Sequence, residues 1–188
     1  MASISTNNKY IYILYGTYTR NSEGVSKVLS EKLETLGFKI KLSSLDDSID
    51  FDFKDSLFVF IICSTIRGGP PETAEKWWRN IKKKDIDKQK FKDIKYAVLG
   101  LGDTNYPKFC NMGIEIDKRI TELSGNRIHK LVCTDAATDE VETIETWIDN
   151  IVALVKDYKH SDNKSEQKEK NKYLKYKNKY LKLKQFYL

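Results

Sequence analysis

Apolar and polar positions along the chain repeat with two different periods, and each stretch reads as one element. Tyr10 to Tyr15 is a short apolar run closed by Gly16, the pattern of a buried strand. Val25, Leu29, Leu33 and Leu36 then recur on one helical face, with Gly37 placed to end the helix. Phe38 to Leu42 alternates apolar residues with lysine, as a half-buried strand does. Leu57 to Cys63 is the most continuous apolar run and predicts a central strand. After Pro70 and Pro71, Glu72 to Ile81 predicts a helix, followed by a charged connector from Lys82 to Lys92. Tyr96 to Leu101 predicts a fourth buried strand, and Ile114, Ile116, Ile120 and Leu123 a helix ending before Gly125. Arg127 to Cys133 predicts a fifth strand, with His129 as a structural residue in it. Val141 to Val155 predicts a last helix with Ile144, Trp147, Ile148, Ile151 and Leu154 facing the core.

Five strands thus alternate with four helices. Runs apolar on both faces are those of a parallel sheet covered by helices on both sides. Right-handed crossovers then make a doubly wound α/β sheet the natural arrangement. Such sheets bind ligands outside the carboxyl ends of their strands, which directs attention to three loops.

Composition narrows the class. The 188 residues are 40% apolar, with 3 Trp, 8 Phe and 11 Tyr, enough for one packed domain plus an appendage. The net charge of +6 lies wholly in residues 160–188, where nine Lys face Asp162, Glu166 and Glu169. The basic pI therefore says nothing about the main domain. Cys63, Cys110 and Cys133 have no paired spacing, which argues against a disulfide framework and fits a reducing compartment, the cytoplasm. Two His and no CxxC make a zinc site improbable. No apolar run approaches a membrane span, and the N-terminus, residues 1–8, reads as disordered and without a signal-peptide apolar region.

The first loop runs Gly16-Thr17-Tyr18-Thr19-Arg20-Asn21-Ser22. Hydroxyls, an amide and backbone N–H groups gather where a helix begins. That suits an anion such as phosphate, and equally an ordinary capped βα turn. It is neither a Walker loop nor GxGxxG. The second, Ser64-Thr65-Ile66-Arg67-Gly68-Gly69-Pro70-Pro71, has the glycines and prolines of a turn. The third is Gly100-Leu101-Gly102-Asp103-Thr104-Asn105-Tyr106-Pro107-Lys108-Phe109-Cys110.

Together the segments YGTYTRNSEG, STIRGGPPETA and LGLGDTNYPKFCNMG, followed by IDKRITELSGNRI and TDAATDEVETIETW, resemble the FMN domains of the diflavin reductases. This is the group of cytochrome P450 reductase and methionine synthase reductase, and the prolines and third loop look closest to the latter. The resemblance covers about Tyr10 to Tyr158. It implies a flavodoxin-like five-stranded parallel sheet of order 2-1-3-4-5 over residues 9–159, with FMN as cofactor. It assigns the phosphate to Thr17, Tyr18, Thr19, Asn21 and Ser22, and places Arg20 in the same cofactor loop. Ser64, Thr65, Ile66, Arg67, Gly68 and Gly69 fall in the second flavin loop. Leu101, Gly102, Asp103, Asn105, Tyr106, Phe109 and Cys110 fall in the third, with Tyr106 stacked on the isoalloxazine and Asp135 nearby. Cys110 and Met112 read as core or helix-start residues, and Cys63 as buried without a redox role.

Two departures from the family pattern are arginines. Arg20 and Arg67 stand where the family carries glycine, and Ile66 replaces an aromatic. The glycine at position 67 is the one whose peptide turns over as flavin changes redox state, so Arg67 is expected to oppose that turn. Its charge is expected to favour the anionic reduced flavin. The chain shows no nicotinamide fingerprint, so it is expected to take electrons from a separate FAD/NADPH reductase and pass them to another acceptor. Two further classes are open on the sequence: a flavodoxin-fold interaction module without flavin, and a tail-mediated tether. Asp135, Asp139, Glu140, Glu142, Glu145 and Asp149 form an acidic patch, read equally as a partner surface and as acids favoured at a helix start. In the tail, Tyr173, Tyr176, Tyr180, Leu183 and Tyr187 fall at spacings of three and four, a heptad seam among lysines. The tail reads either as a helix needing an acidic partner, an anionic membrane surface or its own copy, or as a disordered solubilising segment.

Overall fold

The computed structural model describes residues 9–186; residues 1–8, Tyr187 and Leu188 lie outside them. Five parallel positions build the sheet. Strands β1 (Tyr10–Gly16), β2 (Lys39–Ser44), β3 (Ser56–Ser64) and β4 (Lys95–Gly102) order as β2-β1-β3-β4, followed by β5 (Asn126–Arg127) and β6 (Val132–Asp135), which both pair with β4. Helix α1 (Asn21–Thr35) links β1 to β2, and α2 (Glu75–Ile81), preceded by a 3-10 turn at Glu72–Ala74, lies between β3 and β4. Helix α3 (Asn111–Glu122) follows β4, and α4 (Glu140–Phe186) follows β6.

Alternation within each central strand divides the core. Val59, Ile61 and Cys63 of β3 join Leu14, Trp77, Met112 and Ile116 on the α2/α3 face. Phe58, Phe60 and Ile62 join Ile13, Leu29, Trp147 and Ile151 on the α1/α4 face. Trp147 is a core residue, packed edge-on against Phe60 at 6.4 Å between ring centroids. Arg127 holds α3 to the outer strand through Asp117, at 2.7 and 2.5 Å.

Two sequence expectations change. The single fifth strand is broken: between its pairings with Tyr96 and Leu99, the outer chain advances from Arg127 to Val132, two residues more than β4 does. This bulge ejects the segment with His129 from the ladder, and Nδ1 of His129 meets the Lys130 carbonyl at 2.8 Å. The ladder resumes later and runs on to Asp135. The last helix does not stop at Val155 but continues to Phe186. No Gly or Pro follows Gly125, and the segment is rich in strong helix formers. Tyr158 packs edge-on against Phe58 at 5.1 Å, and Lys159 donates to the Leu36 carbonyl at the end of α1 at 2.7 Å. Tyr173 of the heptad seam and the neighbouring Leu174 are exposed; the side chains of Tyr176, Tyr180 and Leu183, and all of Tyr187, lie outside the described residues. Among the described residues no helix is long and apolar enough to cross a membrane.

Candidate functional site

The carboxyl ends of β1, β3, β4 and β6 open onto a cleft of about 410 Å³. All three loops contribute to it.

In the first loop, Thr19 and Asn21 line the cleft, while Thr17 and Ser22 are buried behind them. Thr17 is clamped by Thr73: its N–H donates to Thr73 Oγ1 at 2.8 Å, and the Thr73 hydroxyl donates back to the Thr17 carbonyl at 3.1 Å. Arg20 precedes α1 in the left-handed conformation, φ 68°, with no side-chain cap. A left-handed residue followed by helical ones turns successive N–H groups toward one point, an anion-binding nest. The first amides of α1 have no intrahelical acceptor and add to it. Among the described residues four buried side-chain polar atoms lack a partner, and two of these, Thr17 Oγ1 and Ser22 Oγ, lie in this loop. Tyr18 is exposed and does not line the cleft.

The second loop is a two-residue hairpin. Ile66 and Gly69 exchange backbone hydrogen bonds of 3.0 and 2.8 Å, and the residues between them, Arg67 and Gly68, have φ of 50° and 77°. Positive φ at both central positions is the primed turn that glycine favours. Ser64, Thr65, Ile66, Arg67 and Gly68 line the cleft; Gly69 closes the hairpin behind them. The loop is fastened to α3: Thr65 Oγ1 accepts from the Met112 N–H at 3.0 Å, and Asn111 Nδ2 donates to the Gly68 carbonyl at 2.9 Å.

Leu101, Gly102, Asp103, Tyr106 and Cys110 of the third loop line the cleft. Asp103 shapes its turn by accepting from the Asn105 N–H at 2.8 Å. Tyr106 stands 67% exposed, its ring open at the cleft wall among the described residues. Phe109 packs over Gly102, where a Cβ would meet its ring at 2.9 Å, so it braces the loop and does not line the cleft. Asn105 is exposed outside the lining. Asp135 works from behind. It accepts from the Thr104 N–H at 3.0 Å, the Thr104 hydroxyl at 2.7 Å and the Ala137 N–H at 3.0 Å. These bonds, the Thr104 amide first, hold its carboxyl below the usual range.

Lys108, Ala136 and Glu140 line the cleft as well. Lys108 was within reach of sequence reasoning, being next to assigned residues. Ala136 and Glu140 become visible only when β6 continues to Asp135 and pairs beside β4. Of the acidic patch, Glu140 lines the cleft and Asp149 pairs with Lys32 at 2.8 Å, while Asp139, Glu142 and Glu145 are exposed.

The flavodoxin family pattern matches residues 13–147, most of the domain just described. The chain belongs to the flavodoxin family. This flavodoxin domain is 33% identical over 150 residues to mouse methionine synthase reductase, covering 78% of this chain and 22% of that protein. It is 32% identical over 146 residues to the sulfite reductase [NADPH] flavoprotein alpha-component of Bacillus subtilis, covering 77% of this chain and 24% of that protein. The chain therefore spans about a quarter or less of the length of these diflavin reductases. Among solved structures, oxidised flavodoxin 1 from Bacillus cereus superposes with a TM-score of 0.65 at 17% identity, over 79% of this chain and 98% of that one. Arg20 and Arg67 both sit at positive φ, where glycine is the unstrained residue, and a side chain there costs roughly 1–2 kcal/mol. Arg67 already holds this conformation, so the loop tolerates the strain.

Proposed function

We propose that this domain binds FMN in the cleft and serves as an electron carrier between a separate reductase and a redox acceptor. One observation carries the reading: two buried, unpartnered hydroxyls, Thr17 and Ser22, lie in the loop that forms the nest at the start of α1. Buried polar groups are normally satisfied, and an orphan pair beside an anion nest suits a phosphate. The FMN phosphate would be held by these hydroxyls, Thr19, Asn21 and the first amides of α1. A neutral donor set holds a dianion without an unpaired buried cation. Tyr106 would cover one face of the isoalloxazine and Ile66 another, while the hairpin and Gly102 present backbone groups to its polar edge. Bound FMN accepts electrons in pairs or singly, which suits a hydride-fed donor and a one-electron acceptor.

The protein's own residues define the rest. Asp135 fixes the third loop through Thr104, and Thr65 and Asn111 fix the hairpin to α3, so the walls are pre-set before any ligand enters. Two cations, Arg67 and Lys108, and two acids, Asp103 and Glu140, leave the cleft lining balanced in charge. The long reductase relatives support a donor of FAD/NADPH type supplied in trans, and the free thiols suit a cytoplasmic setting. Purified full-length protein is expected to be yellow and to release one FMN per chain on heating. Colourless protein that binds neither FMN nor riboflavin would overturn the proposal.

A further inference from the structure

The cysteines, unpaired in sequence spacing, come together in the fold. At the carboxyl end of the sheet, Gly16, Cys63, Gly100 and Cys133 are successive cross-strand partners on β1, β3, β4 and β6. Glycine and cysteine alternate along this row. Cys110, at the start of α3, drops its sulfur onto Gly100, where a Cβ would collide with it and would meet Cys133 Sγ at 3.6 Å. Both sulfurs thus lie within 4 Å of one point beside Gly100, which makes them near neighbours. Cys63 and Cys110 are fully buried, whereas Cys133 is partly exposed on an outer strand.

We infer that Cys133 and Cys110 form a redox-active dithiol that exchanges with small-molecule disulfides, Cys133 attacking first and Cys110 closing the bridge. Access decides the order, because Cys133 is partly exposed whereas Cys110, at the cleft wall, is buried. The chemistry agrees with it: the neighbouring Cys110 thiol lowers that of Cys133 from its usual range, while Cys110 is raised by the same neighbour and by burial. Cys133 loses its proton and its sulfur attacks one sulfur of the small disulfide. A mixed disulfide forms, the reagent's S–S bond breaks, and one thiolate leaves and takes up that proton. The Cys110 sulfur, losing its own proton, then attacks the Cys133 sulfur. The Cys110–Cys133 bond forms, the mixed bond breaks, and the second small thiol leaves protonated. Two protein thiols are oxidised and one disulfide is reduced to two thiols. The absent Cβ at Gly100 makes room for the pair to close. Cys110 also lines the cleft, but the exchange needs no flavin, so its test can fail while the flavin reading stands.

The test uses full-length protein treated with oxidised glutathione, quenched by alkylation and mapped by peptide mass. Wild type should lose two hydrogens and yield a Cys110–Cys133 cross-linked peptide, with Cys63 alkylated only after unfolding. Cys110→Ser should instead trap glutathione on Cys133, with an adduct lived at least about tenfold longer than in wild type. Cys133→Ser should take up no glutathione in the folded state. A persistent glutathione adduct in wild type, a Cys63–Cys110 bridge, or first modification at Cys110 would each overturn the inference. Should Cys110→Ser fail to fold, a brief alkylation of native wild type decides: Cys133 must be modified before Cys110.

Discussion

Removing the two orphan hydroxyls of the first loop should act in opposite directions on the free and the loaded protein. In the free protein Ser22 Oγ and Thr17 Oγ1 are buried without partners, a state that costs about 1–3 kcal/mol per group. Ser22→Ala and Thr17→Val keep most of the side-chain volume and delete that penalty. Unfolding free energy of the free protein should therefore stay level or rise. With FMN bound, each hydroxyl would donate to a phosphate oxygen, a charge-assisted bond contributing about 1.5–3 kcal/mol. At about 1.4 kcal/mol per tenfold, each substitution should raise the Kd for FMN by roughly 10- to 100-fold. Riboflavin has the same ring and no phosphate, so its Kd should move by less than about threefold, a few tenths of a kcal/mol. Fluorescence titration of flavin-free protein with each flavin, beside urea unfolding of the free protein, measures both halves. Equal weakening for the two flavins would refute the phosphate assignment. A drop of about 2 kcal/mol in the free protein would show that the hydroxyls are satisfied within the fold.

The exposed face of Tyr106 is expected to quench bound flavin, so Tyr106→Ala should brighten FMN fluorescence and weaken binding roughly tenfold, from lost stacking and burial; unchanged fluorescence would mean that another group covers that face. Arg67→Gly relieves the positive φ and should raise unfolding free energy by about 1 kcal/mol. The same change removes a cation lining the cleft, so a potentiometric titration should show a lower midpoint for bound FMN; a raised or unmoved midpoint would contradict the electrostatic argument. Asp135 has a folded pKa below its unfolded one, so its contribution is fully present above the ordinary carboxylate range, about 4, and is lost as pH falls through the lower folded value. The stability gap between wild type and Asp135→Asn should accordingly be widest near neutral pH and close in acid; a gap that widens in acid would reverse the sign.

Periodicity alone determined the first four strands, the order of the helices and the carboxyl-end loops, though not the break in the fifth strand or the length of the last helix, because apolar spacing is local and burial on both faces of β3 leaves little else for Leu57 to Cys63 to be. The motif segments determined which loops gather, since Tyr106 and the Gly16–Ser22 turn carry their chemistry in residue type and order. Three further features of the site were decided only by the tertiary structure. Phe109 and Asp135 changed from expected lining groups to braces, because contact with Gly102 and Thr104 depends on how loops cross and not on spacing. The positive φ of Arg20 and Arg67 follows from loop closure against Thr73 and α3, which overrides the steric preference of a side chain. The thiol row arises because register places Cys63 and Cys133 on either side of Gly100, and helix packing lowers Cys110 between them. Residues far apart in the chain acquire joint chemistry only where strand pairing and a missing Cβ make them neighbours.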